Sequence, residues 1–241
     1  MLQIATMARF VYLQQHRRLL RGCLTAIALS ATIAFVPDAS AKLFDSPVDR
    51  LPAIERDALR QGRVILNGEK GNYTVRVLVN GSVDTAWEVL TDYENFQQFL
   101  PNIASSQIIE DNGNRKVFEQ INRVRAFLFT KNARVRLAIT ETYPQQIAFS
   151  LVEGDLKSLE GFWQLEPVSP YPSAPPDRVL ITQQVAVEAD SGGSTFYSIF
   201  EDALEKTLAA IEQEVKQRSN QYEAKVFELQ ENSTNTCLRY Y

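Results

Sequence analysis

Histidine and cysteine are almost absent from this chain of 241 residues. Its single histidine is His16, and its two cysteines are Cys23 and Cys237. His16 and Cys23 fall in the first 41 residues, which we interpret below as a removable segment. The rest of the chain therefore excludes Ser-His-Asp and Cys-His catalysis, histidine-ligated zinc and an intramolecular disulfide. We predict no catalytic residue of these classes, no metal site and no cofactor.

A basic block of the kind that binds nucleic acid is also missing. The chain has 25 lysines and arginines against 29 aspartates and glutamates, a net charge of −4. Residues 1–41 hold four of the arginines and one of the aspartates, so the remainder is more acidic than the whole. This balance argues against nucleic acid as a partner. The 45% hydrophobic content is typical of a globular protein with one or two domains.

Residues 1–41 have the pattern of an export signal peptide. Basic residues in the stretch HRRLLR, residues 16–21, precede an apolar run of 14 residues that ends at Val36. The triplet Ala39-Ser40-Ala41 matches a small-x-small cleavage site. Because 14 residues are short for a membrane-spanning helix, a cleaved signal is favoured over a retained anchor. We expect export, with the mature protein in a periplasm or a thylakoid lumen.

The elements after the signal follow from the spacing of apolar residues. Residues 42–60 are predicted to be a linker with one short helix over 51–60. Alternating patterns predict strands over residues 63–66, 73–79, 105–110, 116–125, 133–141, 146–152, 161–167 and 178–188. Two short helices are predicted over residues 82–90 and 93–100, with Ser82 as the cap of the first and Pro101 as the end of the second.

A long helix is predicted over residues 194–218, near the end of the chain. Its apolar residues recur at three- and four-residue spacing: Phe196, Ile199, Phe200, Ala203, Leu204, Leu208, Ile211 and Val215. No glycine or proline interrupts this stretch, and residues 219–241 are predicted to be a polar tail. Strands, two small helices, further antiparallel strands and one long helix predict a single α+β domain over residues 61–218.

Two motifs carry a resemblance to a known family. They are VLVNGSVDTAWEVLTDYENFQQFLPN at residues 77–102 and LVEGDLKSLEGFWQLEP at residues 151–167. With the element order, they resemble the polyketide cyclase/dehydrase and lipid-transport family of the START-like (SRPBCC) superfamily, to which coenzyme Q-binding START-domain proteins also belong. The resemblance covers about residues 61–217 and says little about the ligand, because one fold hosts many functions.

The resemblance implies a helix-grip fold of the START-like, Bet v 1-like kind. In that fold a seven-stranded antiparallel sheet wraps around the long C-terminal helix, two short helices follow the first strand, and a ligand cavity lies between sheet and helix. This chain departs from the enzymatic members because it has no histidine for the pocket. It departs from matrix and cytosolic members by its export signal.

A cavity of this kind is lined mainly by apolar side chains. The residues that we predict to bind a ligand are large apolar ones from all three parts of the fold: Trp87, Phe96, Phe99 and Leu100 from the short helices, Phe118, Phe149, Leu151, Leu156 and Trp163 from the sheet, and Phe196, Phe200 and Leu204 from the long helix. The alternative for each of them is plain core packing.

A second candidate surface is the predicted hairpin at residues 123–134. Apolar residues there are flanked by cations, which suits a bilayer interface with anionic headgroups. The predicted membrane-contact residues are Arg123, Arg125, Phe127, Leu128, Phe129 and Lys131. Alternatively, this tip folds over the cavity mouth or simply continues a strand.

Three functions remain open from the sequence. The first is an exported, non-enzymatic carrier of a hydrophobic small molecule such as a quinone or lipid, with transient membrane contact. The second is a cyclase or dehydratase in the same cavity, which would use Glu, Asp or Tyr as acid and base. The third is an interaction module without a ligand. Glu153, Asp155 and Glu160 could form a carboxylate pair, although acidic residues at strand ends commonly serve solubility.

Overall fold

The computed structural model describes residues 46–126, 129–190 and 193–237. Four α-helices are α1 (Ala53–Arg60), α2 (Val83–Leu90), α3 (Phe96–Phe99) and α4 (Gly193–Cys237). The strands are β1 (Ile65–Glu69), β2 (Asn72–Asn80), β3 (Ile103–Asp111), β4 (Arg115–Ala126), β5 (Phe129–Thr142), β6 (Gln146–Gly154), β7 (Ser158–Val168) and β8 (Arg178–Glu188). Short 3₁₀ turns at Pro47–Arg50 and Tyr93–Asn95 precede α1 and α3.

All the strands form one antiparallel sheet in the order β1-β2-β8-β7-β6-β5-β4-β3. The α+β prediction is therefore confirmed, with one correction to the seven strands that the resemblance implied. The described residues contain eight strands, and β1 precedes the strand after which α2 and α3 follow. The extra strand forms because the tight turn at Lys70 and Gly71, both with positive φ, folds residues 65–69 back onto β2.

Helix α4 packs on one face of the sheet, which we call the inner face. Its backbone lies closest to β2 and β1. Leu208, Ile211 and Val215 are almost fully buried on this side, as are Val75 and Val77 of β2. Burying each of these side chains contributes about 1.5–3 kcal/mol, so the apolar stripe of the helix holds it to the sheet.

The long helix extends further than the predicted boundary at residue 218. It continues to Cys237, a total of 45 residues and about 68 Å in length. The prediction was wrong because a change from apolar to polar residues does not end a helix. Residues 219–237 contain neither glycine nor proline, so nothing in the chain interrupts the backbone hydrogen bonding.

The outer face of the sheet is partly covered by the segment before β1. A second apolar cluster joins Val48 and Leu59 to Leu78, Val168 and Leu180 of the sheet. The predicted short helix is present as α1, and residues 46–60 pack on the sheet through this cluster. The predicted signal at residues 1–41 lies outside the described residues. In the part of the chain that is described, no helix is long and apolar enough to cross a membrane.

Candidate ligand-binding cleft on the inner face of the sheet

The helices cover the inner face unevenly. Helix α4 lies over β1 and β2, α2 approaches β7 and β8, and α3 with the preceding 3₁₀ turn lies on β3. Between them, inward-facing residues of the middle strands are only half-buried, among them Leu137, Leu151 and Trp163. Solvent therefore reaches apolar side chains that face α4. We call the region bounded by α3, the first turns of α4 and the inner face of β4–β7 the cleft.

Aromatic rings form walls at the two ends of the cleft. On one side, the Phe96 ring meets Phe99 and Phe118 edge-on, with centroid distances of 5.8 and 5.9 Å. On the other side, Phe196 and Phe200 in the first turns of α4 stack at 5.8 Å. These edge and stacked arrangements are the favourable ones for aromatic pairs. Both walls are partly accessible to solvent, since Phe96, Phe99, Phe196 and Phe200 are half-buried.

The structure brings the predicted ligand-binding residues together. Eleven of the twelve belong to one apolar cluster or pack against it. Buried within it are Trp87, Phe118, Phe149 and Leu204; half-buried at its edge are Phe96, Phe99, Leu100, Leu156, Trp163, Phe196 and Phe200. The twelfth, Leu151, is half-buried and pairs with Leu137 across β5 and β6. Ligand binding by this set stays a prediction, and the half-buried members are the ones that a ligand can reach.

Sequence reasoning missed one polar residue on the inner face, Gln183 of β8. It is 7% exposed, and its Oε1 atom has no hydrogen-bond partner. Its inward neighbours along the strand are the buried Ile181 and Val185. Across the neighbouring strands it pairs with Val75 and Trp163. The sequence did contain a signal for this residue: Gln183 is a glutamine at an inward position of a strand whose other inward residues are apolar.

Three other polar side chains on the inner face already form hydrogen bonds within the protein. Gln120 and Asn122 of β4 are half-buried, and the Gln120 Nε2–H donates to Asn122 Oδ1 over 2.7 Å. Ser106 of β3 is buried, and its hydroxyl donates to the backbone carbonyl of Tyr93. The polar atoms in these contacts are satisfied within the protein, in contrast to Gln183 Oε1.

A largely buried carboxylate also lies on the inner face, at the end of β5. The hydroxyl of Tyr93 donates to Glu141 Oε1 over 2.8 Å, and Lys116 Nζ donates to Glu141 Oε2 over 3.2 Å. Burial, together with the hydrogen bond to Glu141, raises the pKa of Tyr93 far above its ordinary value. With both of its oxygens in use, Glu141 is suited to anchoring the loop before α3.

The carboxylates that were predicted as a possible pair, Glu153, Asp155 and Glu160, do not pair with one another. Glu153 binds Arg134 and Arg136 on the outer face, and the Arg136 Nη1–Glu153 Oε2 distance is 2.7 Å. The hydrogen bond and charge of Arg134 lower the pKa of Glu153. Asp155 accepts the backbone N–H of Arg134 over 2.8 Å. The third residue, Glu160, is exposed on the outer face, where it pairs with Ser150 across the strands.

The outer face carries a groove of a different kind. It has a volume of about 660 Å³. Its lining combines polar side chains, such as Asn67, Thr74, Gln184 and Ser150, with apolar residues that include Phe162 and Ala186. Among the described residues, no group of three or more His, Cys, Asp or Glu side chains is placed to hold a metal ion.

The predicted membrane-contact hairpin is described only in part. Strand β4 extends to Ala126 and β5 resumes at Phe129, with these two residues paired. Arg123 is exposed. The predicted residues Phe127 and Leu128 lie outside the described residues, and for Arg125, Phe129 and Lys131 the structure describes the backbone. Membrane contact by this hairpin stays a prediction.

Three solved structures illustrate the similarity of this fold to known proteins. A protein of Thermus thermophilus aligns with a TM-score of 0.52 and 15% identity, over 61% of this chain and 97% of that one. A START superfamily protein of Mycobacterium smegmatis aligns with a TM-score of 0.50 and 20% identity, over 60% of this chain and 96% of that one. A STAR-related lipid transfer protein fragment of Xanthomonas axonopodis aligns with a TM-score of 0.50 and 16% identity, over 64% of this chain and 92% of that one. At these identities the likeness shows the fold alone.

No curated protein matches this chain in sequence. A family model does match, over residues 79–212, and its description is polyketide cyclase / dehydrase and lipid transport. The match covers more than half of the chain and runs from the end of β2 into α4, so it includes α3 and the strands on which the cleft lies. This protein therefore belongs to the polyketide cyclase / dehydrase and lipid transport family of the START-like superfamily.

Proposed function

We propose that this protein is an exported, non-enzymatic carrier that holds a hydrophobic small molecule, such as a quinone or a lipid, in the cleft. The observation that supports it is the set of half-buried apolar side chains on the inner face, such as Trp163, Phe196 and Phe200. An apolar ligand placed against them removes its own surface and theirs from water, which is favourable. The family description includes lipid transport, and the similar Xanthomonas protein is a STAR-related lipid transfer protein.

The state of the polar groups favours a carrier over a cyclase or dehydratase. A general base must be a side chain that is free to take a proton from the substrate, such as a carboxylate. Glu141, the carboxylate at the inner face, already accepts hydrogen bonds from Tyr93 and Lys116. No histidine occurs after residue 16 to take the same role.

Native mass spectrometry tests the carrier directly. The protein is expressed with residues 1–41, recovered after export and measured intact, and the bound material is then extracted into organic solvent. We expect a discrete bound mass with the spectrum of a quinone, a lipid or a pigment. A clean unliganded mass, with no thermal shift when such molecules are added, would contradict the proposal.

The export part of the proposal has its own test. The mass of the recovered protein should correspond to a chain that begins after Ala41, and N-terminal sequencing should start at Lys42. A recovered protein that still contains residues 1–41 would contradict cleavage at this site. Substituting Ala39 and Ala41 by leucine should block processing, because the cleavage site requires small residues at these positions.

We further propose that the hairpin at residues 123–134 brings the cleft to a membrane surface. The support is its composition, in which Phe127 and Leu128 are flanked by arginines and lysine. Flotation with vesicles containing anionic lipid should recover the wild-type protein, and the double substitution Phe127→Ser and Leu128→Ser should reduce recovery. The control is Tyr171→Ser, which removes an exposed aromatic side chain in the loop after β7. Equal recovery of both variants would contradict the proposal.

A further inference from the structure

Gln183 is the starting point for a more specific inference about the ligand. It lies on β8, near the middle of the sheet, with its side chain on the inner face. Among the side chains that the structure describes, two bury a polar atom without a partner: Gln183 Oε1 and Ser219 Oγ. Ser219 lies on α4 against Gly81, away from the cleft. Gln183 is therefore the unpaired buried group on the floor of the inner face.

No group of the protein near Gln183 donates a hydrogen bond to its Oε1 atom. Its inward neighbours Val75, Ile181 and Val185 have aliphatic side chains. Trp163, on β7, has an indole N–H but makes no hydrogen bond with Gln183. Burying an amide oxygen without a donor is unfavourable, so the hydrogen bond to this atom must be completed by a donor from outside the chain, either a water molecule or a ligand group.

The position of Gln183 connects it to the cleft. It pairs directly with Trp163, and side chains opposite each other on neighbouring antiparallel strands lie about 4.5–5.5 Å apart at their Cβ atoms. Trp163 is half-buried and packs at the edge of the apolar cluster. A ligand that covers the Trp163 ring therefore lies beside the side chain of Gln183.

We propose that the ligand is an amphiphile with a neutral hydroxyl group, an alcohol or a phenol, that donates a hydrogen bond to Gln183 Oε1 while its apolar body covers Trp163. This inference rests on the proposed carrier function and narrows its ligand class. A hydrocarbon offers no donor for Oε1. A charged amine fits less well, because the inner-face neighbours of Gln183 on β2, β7 and β8 are uncharged and would leave the charge unpaired.

A pair of competitors with the same carbon skeleton, of which one carries a hydroxyl group, tests this proposal. The purified full chain is loaded with the fluorescent apolar probe 1-N-phenylnaphthylamine, which is then displaced by farnesol or by farnesene. We expect farnesol to displace the probe at a concentration about tenfold lower than farnesene, the effect of one buried neutral hydrogen bond. Both molecules have the same fifteen-carbon isoprenoid skeleton, and farnesene has one further double bond in place of the hydroxyl group of farnesol, so the main difference between them is the hydroxyl group.

Substitutions test whether the preference for farnesol depends on Gln183. Gln183→Leu should abolish the preference by weakening farnesol about tenfold, with farnesene unchanged or slightly tighter. The matched control is Gln184→Leu, whose side chain is exposed on the outer face and should leave the preference intact. Gln183→Met serves as a second variant if the leucine variant fails to fold, which its urea midpoint would show.

The outcomes separate this inference from the carrier function. Failure of the wild type to bind the probe or either competitor would overturn the carrier, and this inference with it. Binding of both competitors without a preference for farnesol would overturn the hydroxyl assignment and leave the carrier standing. A preference that survives in Gln183→Leu would likewise overturn the role of Gln183.

Discussion

Replacing Gln183 by leucine is expected to make the ligand-free protein more stable. In the wild type, Oε1 is buried and unpartnered, and an unsatisfied buried polar group costs about 1–3 kcal/mol. Leucine removes that group and adds apolar contact with Val75, Ile181 and Val185. Repacking of the branched side chain offsets part of the gain. We expect a net increase in the free energy of unfolding of about 1–2 kcal/mol.

Urea unfolding of the ligand-free protein, followed by circular dichroism, measures this change. The midpoint should rise at constant m-value, because the surface exposed on unfolding is nearly unchanged. The melting temperature should rise by about 2–4 °C per kcal/mol for a domain of this size. The control Gln184→Leu should change the unfolding free energy by no more than about 0.5 kcal/mol, since its side chain is exposed.

A loss of stability in Gln183→Leu would refute the reasoning, because it would mean that the wild-type amide is already satisfied. An unchanged midpoint would refute it too, since the cost assigned to the unpaired oxygen would then be absent. The expected result combines a gain in stability with a loss of ligand preference in one substitution. Such an opposition is characteristic of residues retained for binding at the expense of packing.

Three further perturbations follow from contacts described above. Tyr93→Phe removes the hydrogen bond to Glu141 and should lower the unfolding free energy by about 1–2 kcal/mol in urea; an unchanged midpoint would contradict the anchoring role. Hydrogen bonds from Arg136 and Arg134 lower the pKa of Glu119 below its ordinary value near 4.5. The stability that Glu119 contributes is therefore present above pH 4.5 and lost on further acidification. The urea midpoint of Glu119→Gln should fall less steeply than the wild type below that pH, and equal slopes would argue against the network. Gly161→Ala would place a Cβ 2.1 Å from the Gln184 carbonyl oxygen and 2.8 Å from the Phe149 ring, so we expect the free energy of unfolding to fall by about 1–3 kcal/mol. An unchanged free energy of unfolding would show that the strands move apart there and relieve the overlap.

Local signals in the sequence were enough to place the short elements. Ser82 was predicted as the cap of the first short helix, and its hydroxyl accepts the Thr85 N–H over 3.0 Å at the start of α2. The strand over residues 178–188 was predicted with the bounds that β8 has. The end of α4 was missed because helix termination needs a stop signal, and none occurs in residues 219–237.

The candidate site was predictable in composition but not in detail. Large apolar residues at inward positions were identifiable because alternation and helical spacing show which face they occupy. The pairing of Gln183 with Val75 and Trp163 depends on the register between strands distant in sequence, which local patterns do not contain. The arginine contacts of Glu153 depend in the same way on how β5 and β6 meet.

The order of strands in the sheet has a consequence for how the protein acquires its cleft. β2 pairs with β8, so that Val77 lies opposite Ile181, and closing a loop of roughly 100 residues costs entropy before any contact repays it. The other six strand pairings join strands that are adjacent in the chain, so the pairing of β2 with β8 carries the largest loop-closure cost of the sheet. Strand β8, which carries Gln183, and helix α4 are also the last described elements of the chain. During synthesis, the inner face of the sheet and the helix that packs on it are therefore completed together, at the end.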